Sequence, residues 1–432
     1  MIKLLLLILP IFVLAQSFMI SNIPLPKTYI QNLDPYECDE ECLQEYLDND
    51  MIFSFLAHAN AKLEDKVLDE ARVMGISILN LGAFNPGAAL KIALLLPHNK
   101  IGKYASSTTN AAFAYMMTKS HAFTLKSYKV ESENIEDLQT SLAKMKEDGF
   151  AYVIAPLTSE GAQNVITIDP EMNIYFPTIN KEDVNSSSPY LLFGGINYHA
   201  QSDMLLREAV SPLVIFSDKS QTGKKLATYQ DYRFKNPIPL DKNIPLNIED
   251  EMSVYKDLAP QTLNKHLLEG ETKVIEYFIS SRTTNLEYHL KENEKITNGS
   301  FFINTPIIKS GMIMSQLTLY DTNATNVLST QINYDPLLLS MTQYIDREHM
   351  IVANSITEEN NVLIETNSLL GNDIVYDWIN YTTTVGVDYF YNEITGEDRE
   401  YAISMQDKQM LYDIELLKPS LSRFIKYKHH SK

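Results

Sequence analysis

The chain reads as an α/β protein with two lobes, each a parallel sheet covered by helices, preceded by a small helical module. Three observations predict this. From Lys91 onward, apolar runs of strand length alternate with amphipathic helix patterns. Those runs are apolar throughout rather than at every second position, as parallel strands buried on both faces are. The 432 residues, 45% of them hydrophobic, carry enough apolar material for two to three domains with cores of their own.

Charge and composition narrow the function classes. Lys and Arg number 36 against 55 Asp and Glu, for a net charge of −19. An acidic surface of that size repels phosphate backbones, so nucleic acid is not expected as a partner. No basic run occurs outside the last few residues.

The amino terminus speaks to compartment. Lys3, the apolar run Leu4 to Leu14, and the small-residue pattern at Val13 and Ala15 are the parts of a secretory signal peptide, assigned to residues 1–15. The run is shorter than the roughly 20 apolar residues a bilayer span needs. Gln16 rather than Cys follows the expected cleavage point, which disfavours a lipid anchor. The expectation is a protein of the periplasm.

Cysteine usage agrees. Only Cys38 and Cys42 occur, and an even count in an exported chain reads as a disulfide. A metal pair is the rival reading, but no His or Cys lies nearby to complete four ligands. A redox motif has two intervening residues rather than three.

Residues 16–34 read as an extended lead-in and 35–87 as the disulfide-bearing helical module. Leu43, Tyr46, Leu47, Met51, Ile52 and Phe55 recur at helical spacing over Glu41–Ala59, and a second helix is expected over Lys62–Met74. The segment Gly75–Ala89, with Asn85-Pro86-Gly87, reads as a linker. Then come strand Lys91–Pro97, helix Ala105–Thr118, strand Phe123–Val130, helix Ile135–Glu147, and strands Phe150–Ala155, Ile174–Phe176 and Tyr190–Phe193. A second series opens with helix Gln201–Val210, strand Leu213–Phe216 and helix Gly223–Tyr232, and is broken by a proline-bearing insertion at Phe234–Asn247. Strands Val274–Ile279, Phe301–Asn304, Val327–Ser329 and Met350–Ala353 follow, interleaved with helices near Leu286–Glu292, Ile308–Leu319 and Pro336–Gln343. From Leu369 one long helix is expected, running through Trp378 to Tyr391, and strand-like pieces at Tyr401–Met405 and Met410–Leu417 end the chain. Lobe 1 is assigned 88–197 plus 357–432, and lobe 2 198–356.

Three stretches resemble the type I periplasmic binding proteins, the superfamily of the branched-chain amino-acid receptors. Lys91–Pro97 is similar to the opening strand. Leu213–Ala227 resembles the strand, polar turn and helix that open the second lobe. Phe301–Pro306, followed by a helix and Val327–Thr330, resembles the later alternation. The opening strand is also similar to that of the peptidoglycan-synthase activator lipoproteins. The resemblance spans residues 88–432 and implies the two-lobe fold. The turn His98–Tyr104 is bulkier than the glycine-bearing turn of the transport receptors. The Cys-x-x-x-Cys-Leu module joined to such a body resembles periplasmic proteins of Campylobacter and its relatives, bacteria that build large disks around their flagellar motors.

In such a fold a ligand sits at the carboxyl ends of parallel strands, near helix N-termini. The candidate ligand-binding residues are therefore Ser106, Ser107, Thr158 and Ser159 in lobe 1. In lobe 2 they are Asp218, with Ser217 and Lys219 beside it, then Ser281, Arg282 and Thr305. Hydroxyls and free amides suit a carboxylate, and Arg282 adds a charge-assisted bond. Plain helix capping accounts for the same residue types. The histidines show no metal-pair spacing, and Gly-x-Ser-x-Gly, P-loop and dinucleotide motifs are absent, so no catalytic residue, metal or cofactor is assigned. The tyrosine count of 25, with Tyr376, Trp378, Tyr381, Tyr389, Phe390 and Tyr391 close together, leans toward a binding role. Helical spacing reads Trp378, Tyr381 and Val385 as core instead.

The leading expectation is a non-enzymatic interaction protein of the bacterial envelope, such as a component of the flagellar motor disk, meeting the membrane only through its partners. The alternatives are a solute receptor for an amino acid or similar small anion, and a regulator of a peptidoglycan synthase. A hollow polar cleft between the lobes favours a receptor, and a packed one a scaffold.

Overall fold

The computed structural model describes residues 30–79, 81, 90–237 and 272–428. The signal peptide, part of the lead-in, most of the linker and insertion, and His429-His430 lie outside the described residues. The chain divides into two compact units, Met1–Leu94 with His121–Lys129, and Leu95–Ser120 with Val130–Lys432.

In the first unit, helices α1 (Glu40–Asp48), α2 (Ile52–His58) and α3 (Lys66–Ile78) pack around Leu43, Phe55, Leu56, Ala59 and Leu68. The expected single helix over Glu41–Ala59 is two. Asp50 takes a left-handed φ of 56°, which Asp tolerates better than most residues and which no helix continues through. Asp39 caps α1 by accepting from the Cys42 backbone N–H at 3.0 Å. Cys38 and Cys42 form a disulfide across Cα atoms 5.4 Å apart, within the ordinary range. Strands β1 (Leu90–Leu96) and β2 (Phe123–Lys129) also fall largely in this unit.

The second unit carries the alternation. In chain order it contains α4 (His98–Ile101), α5 (Lys103–Met117), α6 (Ile135–Glu147), β3 (Tyr152–Ile154), α7 (Ser159–Ile168), β4 (Asn173–Phe176), β5 (Leu191–Phe193), α8 (Tyr198–Leu206), β6 (Leu213–Ser217), α9 (Gln221–Lys235) and β7 (Val274–Phe278). Next come α10 (Glu287–Leu290), β8 (Ser300–Asn304), α11 (Ile307–Leu319), β9 (Asn326–Ser329), α12 (Pro336–Met341), α13 (Tyr344–Arg347) and β10 (Met350–Asn354). The chain closes with α14 (Asn361–Leu369), α15 (Trp378–Thr395), β11 (Ser404–Gln406), β12 (Gln409–Leu411), β13 (Glu415–Pro419) and β14 (Phe424–Lys426).

These strands form two sheets. One runs β11-β12-β5-β4-β3, the other β14-β13-β10-β9-β8-β6-β7. The pairs β3–β4, β4–β5, β6–β7, β6–β8, β8–β9 and β9–β10 are all parallel. β6 is buried along its whole length between two parallel neighbours, as its unbroken Leu-Val-Ile-Phe run requires. Helices cover the sheets. Asn134 caps α6, Glu136 and Asp137 occupy its first turn and Lys144 and Lys146 its last, matching the helix dipole at both ends.

The sheets are mixed rather than purely parallel. β10 pairs β13 antiparallel, with Ala353 opposite Leu416, and β11 pairs β12 antiparallel. This revises the expected allocation of 357–432 to lobe 1 as a whole. β11 and β12 join the first sheet, and β13 and β14 the second. The apolar stretch Met410–Leu417 divides at Tyr412–Ile414, so Met410 is buried in one sheet and Leu416 and Leu417 in the other. Helix α7 is not expected from the sequence, because it carries Gly161 and its last four residues are all β-branched. Thr158 and left-handed Asp169 mark its ends.

Candidate binding cleft

Strands β3 and β4 of one sheet and β9 of the other deliver their following residues to one cavity of about 650 Å³. Pro156, Leu157 and Thr158 follow β3, and Thr178 follows β4. Gln331, Ile332 and Tyr334 follow β9, and Tyr198 opens α8. The segment before α15 supplies Asp373, Tyr376, Asp377 and Trp378, while Asp335 stands before α12 and Tyr104 in the first turn of α5. The wall thus combines five large aromatic side chains with three carboxylates, and among the described residues no Lys, Arg or His lines it.

Local chemistry fixes these side chains. Asp377 caps α15 by accepting from the Ile379 N–H at 3.0 Å, Asp373 accepts from Val375 at 2.7 Å, and Asp335 accepts from Leu337 at 2.7 Å. Burial pushes the Asp377 carboxyl above its ordinary 3.8, with Asp373 adding to that, against the opposing pull of the Asn380 and Ile379 N–H groups and of Lys103. Tyr334 packs on Tyr376 with ring centres 5.0 Å apart, and Trp378 meets Tyr412 edge-on at 4.7 Å.

Gln331 is only 7% exposed. Its amide oxygen accepts from Gln201 at 3.1 Å and from the Ser355 backbone N–H at 2.9 Å, while its own backbone N–H donates to Gln201 at 3.0 Å. Among the described residues its amide nitrogen has no hydrogen-bond partner, and neither has the indole nitrogen of Trp378. Both nitrogens are closed off from solvent, so neither faces the open space of the cavity.

A smaller cavity of about 180 Å³ also has Tyr198 in its wall. It is lined by Ser159, His199, Glu182, Asp183 and Lys225 among others. Lys225 of α9 pairs with Asp183, and the His199 Nδ1 lies 3.3 Å from Glu182. Burial beside Asp183 pushes the Tyr198 hydroxyl up to about 12.

The candidate residues named above are not brought together. Thr158 lines the larger cavity and Ser159 the smaller. Ser106 is exposed on α5, and Ser107 donates to Asn380 at 2.6 Å. Asp218 accepts from the Ser220 N–H at 3.1 Å, and Ser220 in turn caps α9. Ser281 and Arg282 are exposed in the turn after β7, and Thr305 is buried against the Ser310 hydroxyl at 2.9 Å. The Thr158 end of α7 is filled from within. Glu133, 2% exposed, accepts from the Thr158 N–H at 2.9 Å and from its hydroxyl. Sequence reasoning missed Tyr104, Tyr198, Gln331, Tyr334 and the three aspartates. The density of tyrosines around Tyr376 was the signal available.

Among the described residues no group of three His, Cys, Asp or Glu side chains is placed to hold a metal ion, and no helix is long and apolar enough to cross a membrane.

No family model and no curated protein matches the sequence. Solved structures do match. The leucine-binding protein LivK of Thermotoga maritima aligns with a TM-score of 0.51 at 13% identity, over 78% of this chain and 98% of that one. A branched-chain amino-acid ABC-transporter periplasmic ligand-binding protein of Burkholderia xenovorans aligns at 0.52 and 8% identity, over 78% and 94%. LpoA of Haemophilus influenzae aligns at 0.50 and 11% identity, over 90% of this chain and 65% of that one. Identities this low speak to architecture alone, and on that ground the chain has the two-lobe α/β fold of the type I periplasmic binding proteins.

Proposed function

We propose that the chain is a non-enzymatic, exported binding protein that takes a small solute in the cavity between its two sheets. The observation that carries this reading is the cavity itself. It is an open cleft of about 650 Å³, walled by residues that follow strands of both sheets, the position where ligands enter α/β sheets. A volume of that size with mixed aromatic and polar walls is what small-solute sites have. The solved structures of like fold include leucine and branched-chain amino-acid binding proteins, which supports a receptor over a filled scaffold. Export rests on the reading of residues 1–15 as a signal peptide, and the division into lobes on the two sheets. The test is a thermal-shift screen with a broad metabolite panel. A ligand at about 100 times its dissociation constant adds roughly 2.7 kcal/mol, a shift of several degrees. Absence of a shift across the panel overturns the reading.

A second reading, an envelope interaction protein such as a flagellar-motor disk component, is favoured by a different observation. Val67, Met74 and Ile78 recur at spacings of seven and four along α3 and are 69%, 59% and 63% exposed. An apolar helix stripe left open marks a partner surface. Deleting the gene and imaging the envelope tests this reading. Unchanged motility and unchanged motor density contradict it.

A further inference from the structure

The hairpin of β13 and β14 reverses the charge of the chain. Residues 416–428 carry Lys418, Arg423, Lys426 and Lys428 and no Asp or Glu. The whole chain stands at −19, so what lies outside these four cations stands at −23. At physiological salt, exposed charges more than about 8 Å away are largely screened, so a partner meeting the hairpin feels its local charge. Lys426 pairs with Glu415 across the hairpin at 2.6 Å. Among the described residues no carboxylate pairs with Lys418, Arg423 or Lys428.

Two apolar side chains lie bare among these cations. Leu421, in the turn between the strands, is 75% exposed, and Ile425 on β14 is 42% exposed. β14 is an edge strand of its sheet. Lysine on an edge guards it against pairing with another strand, which accounts for Lys426 but leaves bare Leu421 and Ile425 unexplained. The turn itself is held firmly. The Ser420 N–H donates to the Arg423 carbonyl at 2.8 Å. The Arg347 guanidinium, on a residue only 2% exposed, donates to the Ser420 and Leu421 carbonyls at 3.0 and 3.1 Å. Phe424 packs on Tyr334 with ring centres 4.9 Å apart. Arg347 belongs to α13, whose Tyr344 and Ile345 are exposed as well and add apolar surface on the element that holds the turn. Buried contacts thus fix the hairpin, and its bare residues are presented without the cost of ordering a loose loop.

We propose that this hairpin is a docking surface for an anionic lipid bilayer, with Arg423, Lys428 and Lys418 meeting the headgroups and Leu421 and Ile425 entering the boundary with the acyl chains. Peripheral attachment takes both parts, apolar burial and the attraction of each Lys or Arg to anionic lipid. An acidic polypeptide answers the cations, whereas a bilayer answers the cations and the bare leucine in the turn together. The proposal goes beyond the solute reading and uses none of the cavity's polar groups. It departs from the expectation that the chain meets the membrane only through its partners.

The experiment is flotation of the purified chain with two kinds of vesicle, phosphatidylcholine alone and phosphatidylcholine mixed with phosphatidylglycerol. The expected result is saturable binding to the phosphatidylglycerol vesicles and at least tenfold weaker binding to phosphatidylcholine. Raising salt from about 0.1 to about 0.5 M weakens the binding severalfold by screening. Arg423→Glu combined with Lys428→Glu abolishes it, and Leu421→Ser weakens it severalfold, with far-ultraviolet circular dichroism unchanged. Lys224→Glu combined with Lys295→Glu makes the same change in net charge at exposed positions elsewhere and leaves binding intact. Should the first double variant fail to fold, Arg423→Gln and Leu421→Ser carry the test singly. Vesicle binding untouched by the hairpin variants, or lost equally in the control variant, overturns the proposal. Equal binding to both kinds of vesicle overturns the charge recognition on which it stands. Silent vesicles overturn it too. If poly-glutamate then binds through Arg423 and Lys428, the partner is an acidic polypeptide. If sedimentation then shows a dimer that those variants dissolve, the partner is a second copy.

Discussion

Glu133 and Thr158 are joined by a 2.9 Å hydrogen bond from the Thr158 backbone N–H and a second from its hydroxyl, so a carboxylate of the chain itself stands at the start of helix α7. Glu133 is 2% exposed and packs against Gly161, where any Cβ would run into the carboxylate. Replacing it by Ala removes the acceptor of the half-buried Thr158 N–H. The expected loss is about 1–3 kcal/mol in urea unfolding. A Glu133→Ala variant as stable as the parent shows that the bond contributes nothing.

Tyr175 fits against helix α15 only because position 386 is glycine. A Cβ there falls on the Tyr175 ring. The Tyr175 hydroxyl is held by Thr382 at 2.7 Å and Tyr412 at 3.1 Å, so the ring has little room to retreat. Gly386→Ala is expected to cost roughly 1–3 kcal/mol by overpacking, against the ordinary gain of Gly to Ala in a helix. A raised melting temperature contradicts this packing.

Asp388 is fully buried in the middle of α15. It accepts from the Tyr115 hydroxyl at 2.8 Å, the Arg399 guanidinium at 3.0 Å and the Glu400 N–H at 2.8 Å. Removing one partner of such a pair leaves an uncompensated charge. Asp388→Ala is expected to lose about 3–5 kcal/mol in denaturant unfolding. A loss below 1 kcal/mol indicates that Arg399 finds water instead.

A buried tyrosine sets an alkaline limit. Burial pushes Tyr175 up from 10.0 to about 12. A group raised in the folded state contributes stability that is whole below its unfolded value and is lost as pH climbs through its folded value. For Tyr175 the difference is worth roughly 3 kcal/mol. The melting temperature is therefore expected to hold up to pH 10 and fall between about 10 and 12, with phenolate absorbance rising together with the loss of helical circular dichroism. Tyrosine ionisation complete by pH 10 in the folded chain contradicts this.

The strands were legible because parallel strands buried on both faces write themselves as unbroken apolar runs. Leu213–Ser217 and Ser300–Asn304 are examples, each buried along its length. Helix Ile135–Glu147 was legible for its capping asparagine and its period. Helix α7 was not, because Gly161 and the β-branched residues near its end weaken its local preference and tertiary contact with Glu133 supplies the rest. The cavity was legible only in part. Thr158 is a residue after a strand, as the reasoning required. Gln331 and Asp373 come from segments 42 residues apart, and only folding sets them around one space. Ser106, Asp218 and Thr305 have the expected residue types in the expected places, yet Ser106 faces solvent and the other two bond within their own turns.

The chain holds one tryptophan, Trp378, and it lines the cavity. Its emission is therefore a direct reporter of occupancy. Titrating the purified chain with the metabolite panel while recording tryptophan fluorescence tests whether this space is a solute site. The expected result is a saturable change in intensity or wavelength with at least one solute, with a midpoint equal to the calorimetric dissociation constant. Calorimetric binding that leaves the emission of Trp378 unmoved, or an emission flat against every solute, contradicts it.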